Sequence, residues 1–233
     1  MSVFVISDLH LSFGVDKPMD IFGARWQNFE EKLKANWKTK ISADDTVVLP
    51  GDFSWGMTLE EAKPDFDFLE SLPGRKILMK GNHEYYWNTV TKLEAFCEEQ
   101  GYRTIRFLHN NAYAVEGLLL AGSRGWLCDA DMKEADRKIL ARETMRFEFS
   151  LDAAEQLRTD ESEEIVVFSH YPLSSYSCRH PALDALKAHN VRRAFYGHLH
   201  TVSPENLPPS EEDGVTFTLV SADYLDFDPI QIK

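Results

Sequence analysis

The chain has 233 residues, 43% of them hydrophobic and 27% charged, and carries a formal net charge of -13 at pH 7. That length fits a single domain over residues 1–233 with a core that needs no staples. The acidic balance argues against a nucleic-acid partner, because affinity for a phosphate backbone comes mainly from Lys and Arg releasing counterions.

The N-terminal MSVFVISDLH has neither a basic n-region nor a small-residue cleavage site, and no apolar run nears the roughly 18 residues of a bilayer span. No membrane partner is expected. Cys97, Cys128 and Cys178 are odd in number and lack CxxC spacing, which predicts free thiols and a cytoplasmic location. Runs rich in Val, Ile and Leu then recur: VFVI at 3–6, TVVLP at 46–50, KILMK at 76–80, GLLLAG at 117–122, IVVF at 165–168, RAFY at 193–196 and TFTLVS at 216–221. These read as buried strands. Between them, Trp26, Phe29, Leu33 and Trp37 form one helical stripe, Thr58 with Glu61 a capping box, and Val90, Leu93 and Phe96 a third apolar face. The order is largely βαβ, with YAVEGLLLAGSRGW a strand pair. Residues 129–158 predict a charged helical excursion over one face, with Ile139, Leu140 and Phe147 inward, and SPENLPPSEEDG at 203–214 a solvated loop.

The strand ends share a chemistry. Asp8 and His10 follow the first run, Gly51-Asp52 the second, Gly81-Asn82-His83-Glu84 the third, His170 follows IVVFS, and His198 and His200 follow RAFYG. In open α/β sheets these carboxyl ends converge on one crevice. Any one cluster alone is an ordinary turn or a hydrogen-bonded core histidine, but most of the eight histidines fall in this one kind of position, and a shared cause explains that better than coincidence. His109 and His189 read as solvated.

The ordered set Asp8-x-His10, Gly51-Asp52, Gly81-Asn-His-Glu84, His170 and Gly197-His-x-His200 resembles the calcineurin-like metallophosphoesterase superfamily over residues 3 to about 201. The resemblance implies a four-layer α/β sandwich, two mixed sheets between helices, with a binuclear metal centre at the strand ends. It implies that Asp8, His10, Asp52 and His200 hold one metal and Asp52, Asn82, His170 and His198 the other. A carboxylate such as Asp52 is suited to bridging two cations. The mixed imidazole and oxygen donors suit Mn, Fe, Zn or Ni better than Mg or Ca, and Mn is the ion expected. His83 is implied as general acid, with Asn82 stabilising phosphoryl charge and Glu84 orienting His83.

The implied activity is metal-dependent hydrolysis of a small-molecule phosphomonoester or phosphodiester, such as a cyclic nucleotide, by a hydroxide activated between two metals. The similar Ser/Thr phosphatases carry an Arg downstream of Gly-Asp that GDFSWGM lacks, and a Gly after the first histidine that DLHL lacks, so a protein substrate is disfavoured. A scaffold without activity is the rival, as in a retromer subunit similar to this superfamily, yet no motif position is lost. For substrate contacts, Arg124 either clamps a phosphate or stands at the surface, Arg179 with His180 is a second candidate pair, and Tyr85, Tyr86 and Trp87 either stack on a ring or pack in the core.

Overall fold

A computed structural model describes the whole chain, residues 1–233. Its first half runs β1 (Val3–Val5), α1 (Phe29–Lys40), β2 (Thr46–Leu49), α2 (Leu59–Ser71), β3 (Arg75–Leu78), α3 (Val90–Gln100) and β4 (Ile105–Phe107). A hairpin follows, β5 (Tyr113–Val115) and β6 (Leu118–Ser123), then α4 (Glu134–Leu157), β7 (Glu164–Ser169), α5 (Ala182–Ala188) and β8 (Arg193–Tyr196). Three short strands close the chain: β9 (Glu211–Glu212), β10 (Val215–Leu219) and β11 (Ile230–Gln231).

Side chains alternate across a strand, so a run that is apolar throughout must be covered on both faces. Val3, Val5, Val48 and Ile77 point into one core with Leu118, Leu120, Val166 and Phe168, which cements two sheets together. Phe4, Val47, Leu49 and Leu78 point the other way, against Leu33 and Trp37 of α1, Phe66 of α2 and Leu93 of α3. Leu119, Ala121, Ile165 and Val167 meet Phe147 and Leu151 of α4 and Leu183 of α5. The layers are therefore helix, sheet, sheet, helix. One sheet has the order β11-β1-β2-β3-β4 and the other β5-β6-β7-β8-β10-β9, both mixed because the edge strands β11, β5 and β9 pair antiparallel. The four-layer expectation holds.

Two expectations change. Residues 134–157 form the helix expected at 129–158, yet α4 is the main cover of the second sheet rather than an excursion. Leu140 and Phe147 are buried as expected, Ile139 only half-buried, and Leu151 and Ala154 complete the face. The cysteines are not all free: Cys128 and Cys178 form a disulfide that ties the loop after β6 to the loop before α5, with Cα atoms 5.6 Å apart, leaving Cys97 as the one free thiol. That Cα spacing is usual for a bridge. The count of cysteines thus no longer speaks for a reducing compartment. No helix is long and apolar enough to cross a membrane.

Lys76 on β3 is fully buried, its ammonium donating to the carbonyl of Leu72 at the end of α2 and, at 2.9 Å, to Thr104 Oγ1. Burial pulls its pKa down from 10.5 to about 8. A folded-state pKa below the unfolded one means that folding disfavours the proton, so stability should rise with pH between about 8 and 10.5 through this group. Denaturant titrations across that range should show the rise in the wild type and a flatter profile in Lys76→Met.

Candidate active site

The strand ends are laced to one another by backbone hydrogen bonds. Asp8 N donates to Gly51 O at 3.0 Å, His10 N to Asp52 O at 3.0 Å, and Gly197 N to His170 O at 3.1 Å. The carboxylates extend this lacing: Asp52 Oδ1 accepts the amides of Asn82 and His83 at 2.8 and 2.9 Å, and Asp8 Oδ2 accepts the amide of His198 at 2.9 Å with the hydroxyls of Ser7 and Ser221. Such tight turning has a conformational cost. Asp8, His10, Asp52 and His198 all have left-handed backbone, with φ of 57°, 48°, 51° and 70°. Non-glycine residues adopt that region rarely, mostly where surrounding structure over-determines it. The motif glycines are needed for a different reason. A Cβ at Gly81 would run into the Asp52 carboxylate, and one at Gly197 into Ser7 Oγ and Asp8 Oδ2.

Two clusters of donors result, one of Asp8, His10 and His200, the other of Asp52, His170 and His198. In the first, the Nε2 atoms of His10 and His200 face each other at 3.1 Å, with Asp8 Oδ1 3.5 Å from His200 Nε2. In the second, His170 Nε2 lies 3.2 Å from His198 Nδ1, 2.7 Å from Asn82 Oδ1 and 3.4 Å from Asp52 Oδ2. Asp52 Oδ2 is also 3.8 Å from His10 Nε2, between the clusters. All seven residues expected as ligands come together.

The charges of the site fit a cation. Burial, with the charges of Glu84 and Asp8, pushes Asp52 up to about 9. Burial likewise lowers His170 to about 3 and depresses His10 and His198, so these imidazoles are neutral and carry lone pairs. Pairs of inward lone pairs beside buried carboxylates attract divalent ions. Burial lowers His200 too, but Asp223 and Asp8 outweigh it and raise the ring to about 10; a dication at Nε2 would take the proton's place, since Asp223 Oδ1 already holds Nδ1 at 2.8 Å. A carboxylate behind a ligating histidine fixes its tautomer and orientation.

The other expected residues divide. His83 stays outside both clusters, its Nε2 3.9 Å from Asp52 Oδ2 and its ring beside Trp55 at 4.2 Å between centroids. Burial and the nearby His198 lower its pKa. Glu84 does not orient it. The Glu84 carboxylate is buried and takes the amides of Phe53 and Gly81 at 2.5 and 2.6 Å, one oxygen each, so it clamps the two strand-end loops together instead. Tyr85 is exposed and meets His83 edge-on at 6.1 Å, while Tyr86 and Trp87 pack in the core. Arg124 lies on Trp126 at 4.9 Å and 3.4 Å from Glu143, with its buried Nε unpartnered. Arg179 is taken up by Asp184 and Asp213 at 2.7 and 2.5 Å, and His180 is buried between Trp126 O and Ala182 N, both at 3.1 Å. Neither belongs to the clusters, and local partners hold both. His109 and His189 are half-buried rather than solvated.

Asp223, Trp26 and Trp55 were not expected at the site; Trp26, read with the stripe of α1, lies instead in a separate 3-10 turn, Ala24–Trp26, before that helix. Asp223 had a legible signal, since it follows TFTLVS as Asp8 follows VFVI. Trp55 had none, because nothing in GDFSWGM says that its indole will stack on His10 at 4.9 Å. Gly197→Ala tests the close packing. It should destabilise the fold by about 1–3 kcal/mol as an overpacked site and lower the content of bound metal measured by elemental analysis. Metal content equal to wild type would show that Asp8 can move without loss.

No curated protein sequence matches this chain. Among solved structures it is similar to a phosphopantetheinyl hydrolase from Mycobacterium tuberculosis, at 16% identity over 99% of this chain and 95% of that one, with a TM-score of 0.55. A protein of unknown function from Aquifex aeolicus gives 16% identity, the same 99% and 95% coverage and a TM-score of 0.54. A Thermus thermophilus protein gives 17% identity over 85% and 81%, with a TM-score of 0.52. These likenesses show the fold. The model of the calcineurin-like phosphoesterase family matches residues 1–202, which include every candidate ligand. The chain therefore belongs to the calcineurin-like phosphoesterase family, and its candidate ligand clusters make it a metal-dependent phosphoesterase.

Proposed function

We propose that this protein hydrolyses a small-molecule phosphoester, a monoester or a diester, with two divalent cations, Mn foremost. The observation that carries the reading is the place of Asp52, whose Oδ2 lies 3.4 Å from His170 Nε2 of one cluster and 3.8 Å from His10 Nε2 of the other. Asp8, His10, Asp52 and His200 would hold one cation and Asp52, Asn82, His170 and His198 the other, with Asp52 bridging. When bound, the cations supply Lewis acidity at the phosphoryl oxygens and acidify the attacking water. The rest falls to the chain. Asn82 turns its Oδ1 towards His170 at 2.7 Å, which leaves its amide N–H groups for a phosphoryl oxygen. His83 carries a proton on Nε2 and gives it to the departing oxygen. Asp223 keeps the His200 ring in one orientation through Nδ1 at 2.8 Å. The net charge of -13 favours a small substrate over a nucleic acid, whose backbone would be repelled.

Metal removal is the first test. Protein dialysed against chelator should lose hydrolysis of bis-p-nitrophenyl phosphate and p-nitrophenyl phosphate, and Mn should restore it better than Mg. Full turnover in excess chelator would refute a metal-dependent reaction.

His83→Ala separates acid from ligand. Elemental analysis should find its metal content near wild type, while the rate on an alkyl phosphoester falls by about 10²- to 10⁴-fold, the usual contribution of a positioned acid. The loss should be small for p-nitrophenyl esters, whose leaving group departs without a proton. A variant that loses metal, or slows both esters equally, would place His83 elsewhere in the mechanism.

A further inference from the structure

A cavity of about 240 Å³ opens beside the candidate metal residues. Its floor is formed by ligand histidines and His83, and its wall by Met19, Phe22, Trp26 and Trp55. This wall is built. The Trp55 indole donates to Met19 Sδ at 3.0 Å and stacks on His10, while Trp26 is pinned edge-on between Phe29 and Phe227 at 5.2 Å from each. At the mouth the apolar surface continues into solvent, with Phe22 49% exposed.

We propose that this wall is the leaving-group subsite, and that the substrate is a phosphoester whose departing group carries a flat ring without positive charge. The inference rests on the phosphoesterase reading and on the place of His83. Whatever hangs from the oxygen that His83 protonates must lie next to His83, and its neighbour there is Trp55, 4.2 Å away between ring centroids. A polyol leaving group would lay most of its hydroxyls against Met19, Phe22, Trp26 and Trp55, with Thr201 and the Lys17 ammonium the polar groups beside that wall, and buried polar groups short of partners are costly. A ring meets aromatic edges and faces in the offset and edge-on arrangements they prefer. A cationic group, such as an alkylammonium, would otherwise suit an aromatic wall. Here that seat is taken. The Lys17 ammonium lies 4.4 Å over the Trp55 ring and 5.7 Å from that of Phe22, and no carboxylate pairs with it. Lys17 therefore selects against positive charge in the departing group.

Unreactive analogues read the subsite without turnover. Calorimetric titration of the Mn-loaded full chain should show phenylphosphonate binding at least about tenfold tighter than methylphosphonate, the factor that burial of one ring supplies. 2-Aminoethylphosphonate should bind no better than methylphosphonate. Phe22→Ala should narrow the phenyl preference to about threefold or less, whereas Ile21→Ala, a neighbour outside the cavity, should keep it. Lys17→Met should improve the aminoethyl ligand and leave the methyl ligand unchanged. Equal affinities for the phenyl and methyl ligands, no binding of either, a preference that survives Phe22→Ala, or tighter binding of the aminoethyl ligand in the wild type would each overturn the inference. The underlying activity is judged separately: a phenyl preference in a protein that hydrolyses no phosphoester would refute the enzyme reading while supporting the subsite.

Discussion

The Asp52 carboxylate holds the architecture of the site together. One of its oxygens is fixed by the amides of Asn82 and His83, so the ends of β2 and β3 cannot move independently. The other faces His170 from the second sheet and His10 from β1. A single side chain therefore joins both sheets at their carboxyl ends. Glycine at 81 is what lets it approach, because any side chain there would occupy the space of the Asp52 carboxylate.

Such a centre is a concentration of unfavourable terms. Asp8, Asp52 and Glu84 are buried together, and left-handed backbone recurs at Asp8, His10, Asp52 and His198. Burial, and after it the like charges alongside, makes Asp52 and Glu84 hold protons unusually well. Two features offset this. Backbone amides satisfy Glu84 and half of Asp52, and the inter-sheet core of Val5, Val48, Phe168 and Phe195 anchors the strands from which the loops spring. The remaining imbalance is electrostatic, and divalent cations among neutral imidazoles would remove it.

The surroundings of the centre are unequal. On the side of His10 and His83 stand Trp26, Trp55 and Met19, and on the side of His170 stand Tyr171 and Trp126, with Tyr171 4.3 Å from the His198 ring. The second side is braced by the disulfide from Cys128 to Cys178 and by His180 against Trp126 O, and Arg124 lies flat on Trp126. Arg179 and His180 are held by local partners near the site. A histidine bonded at both nitrogens has no capacity left for a phosphate, and the Arg179 guanidinium is turned to two carboxylates through Nε and Nη2.

The sequence by itself determined the strands, because runs apolar on both faces have only one stable environment, and it determined the candidate ligands, because Asp8, His10, Asp52, Asn82, His170, His198 and His200 all lie within a few residues of the end of such a run. A residue at a strand end inherits its position from the sheet. The short strand IRF at 105–107 escaped notice because three residues with an exposed Arg106 carry no periodicity. What only the tertiary structure decided were contacts between segments far apart in the chain: Asp223 behind His200, Glu84 clamping Phe53 to Gly81, Cys128 against Cys178 across a separation of 50 residues, and Trp55 laid over His10 and His83. Local pattern reports which face of an element is buried. Which side chain from another loop will be found there is set by how the layers pack, and that information exists only once the two sheets have closed on one another.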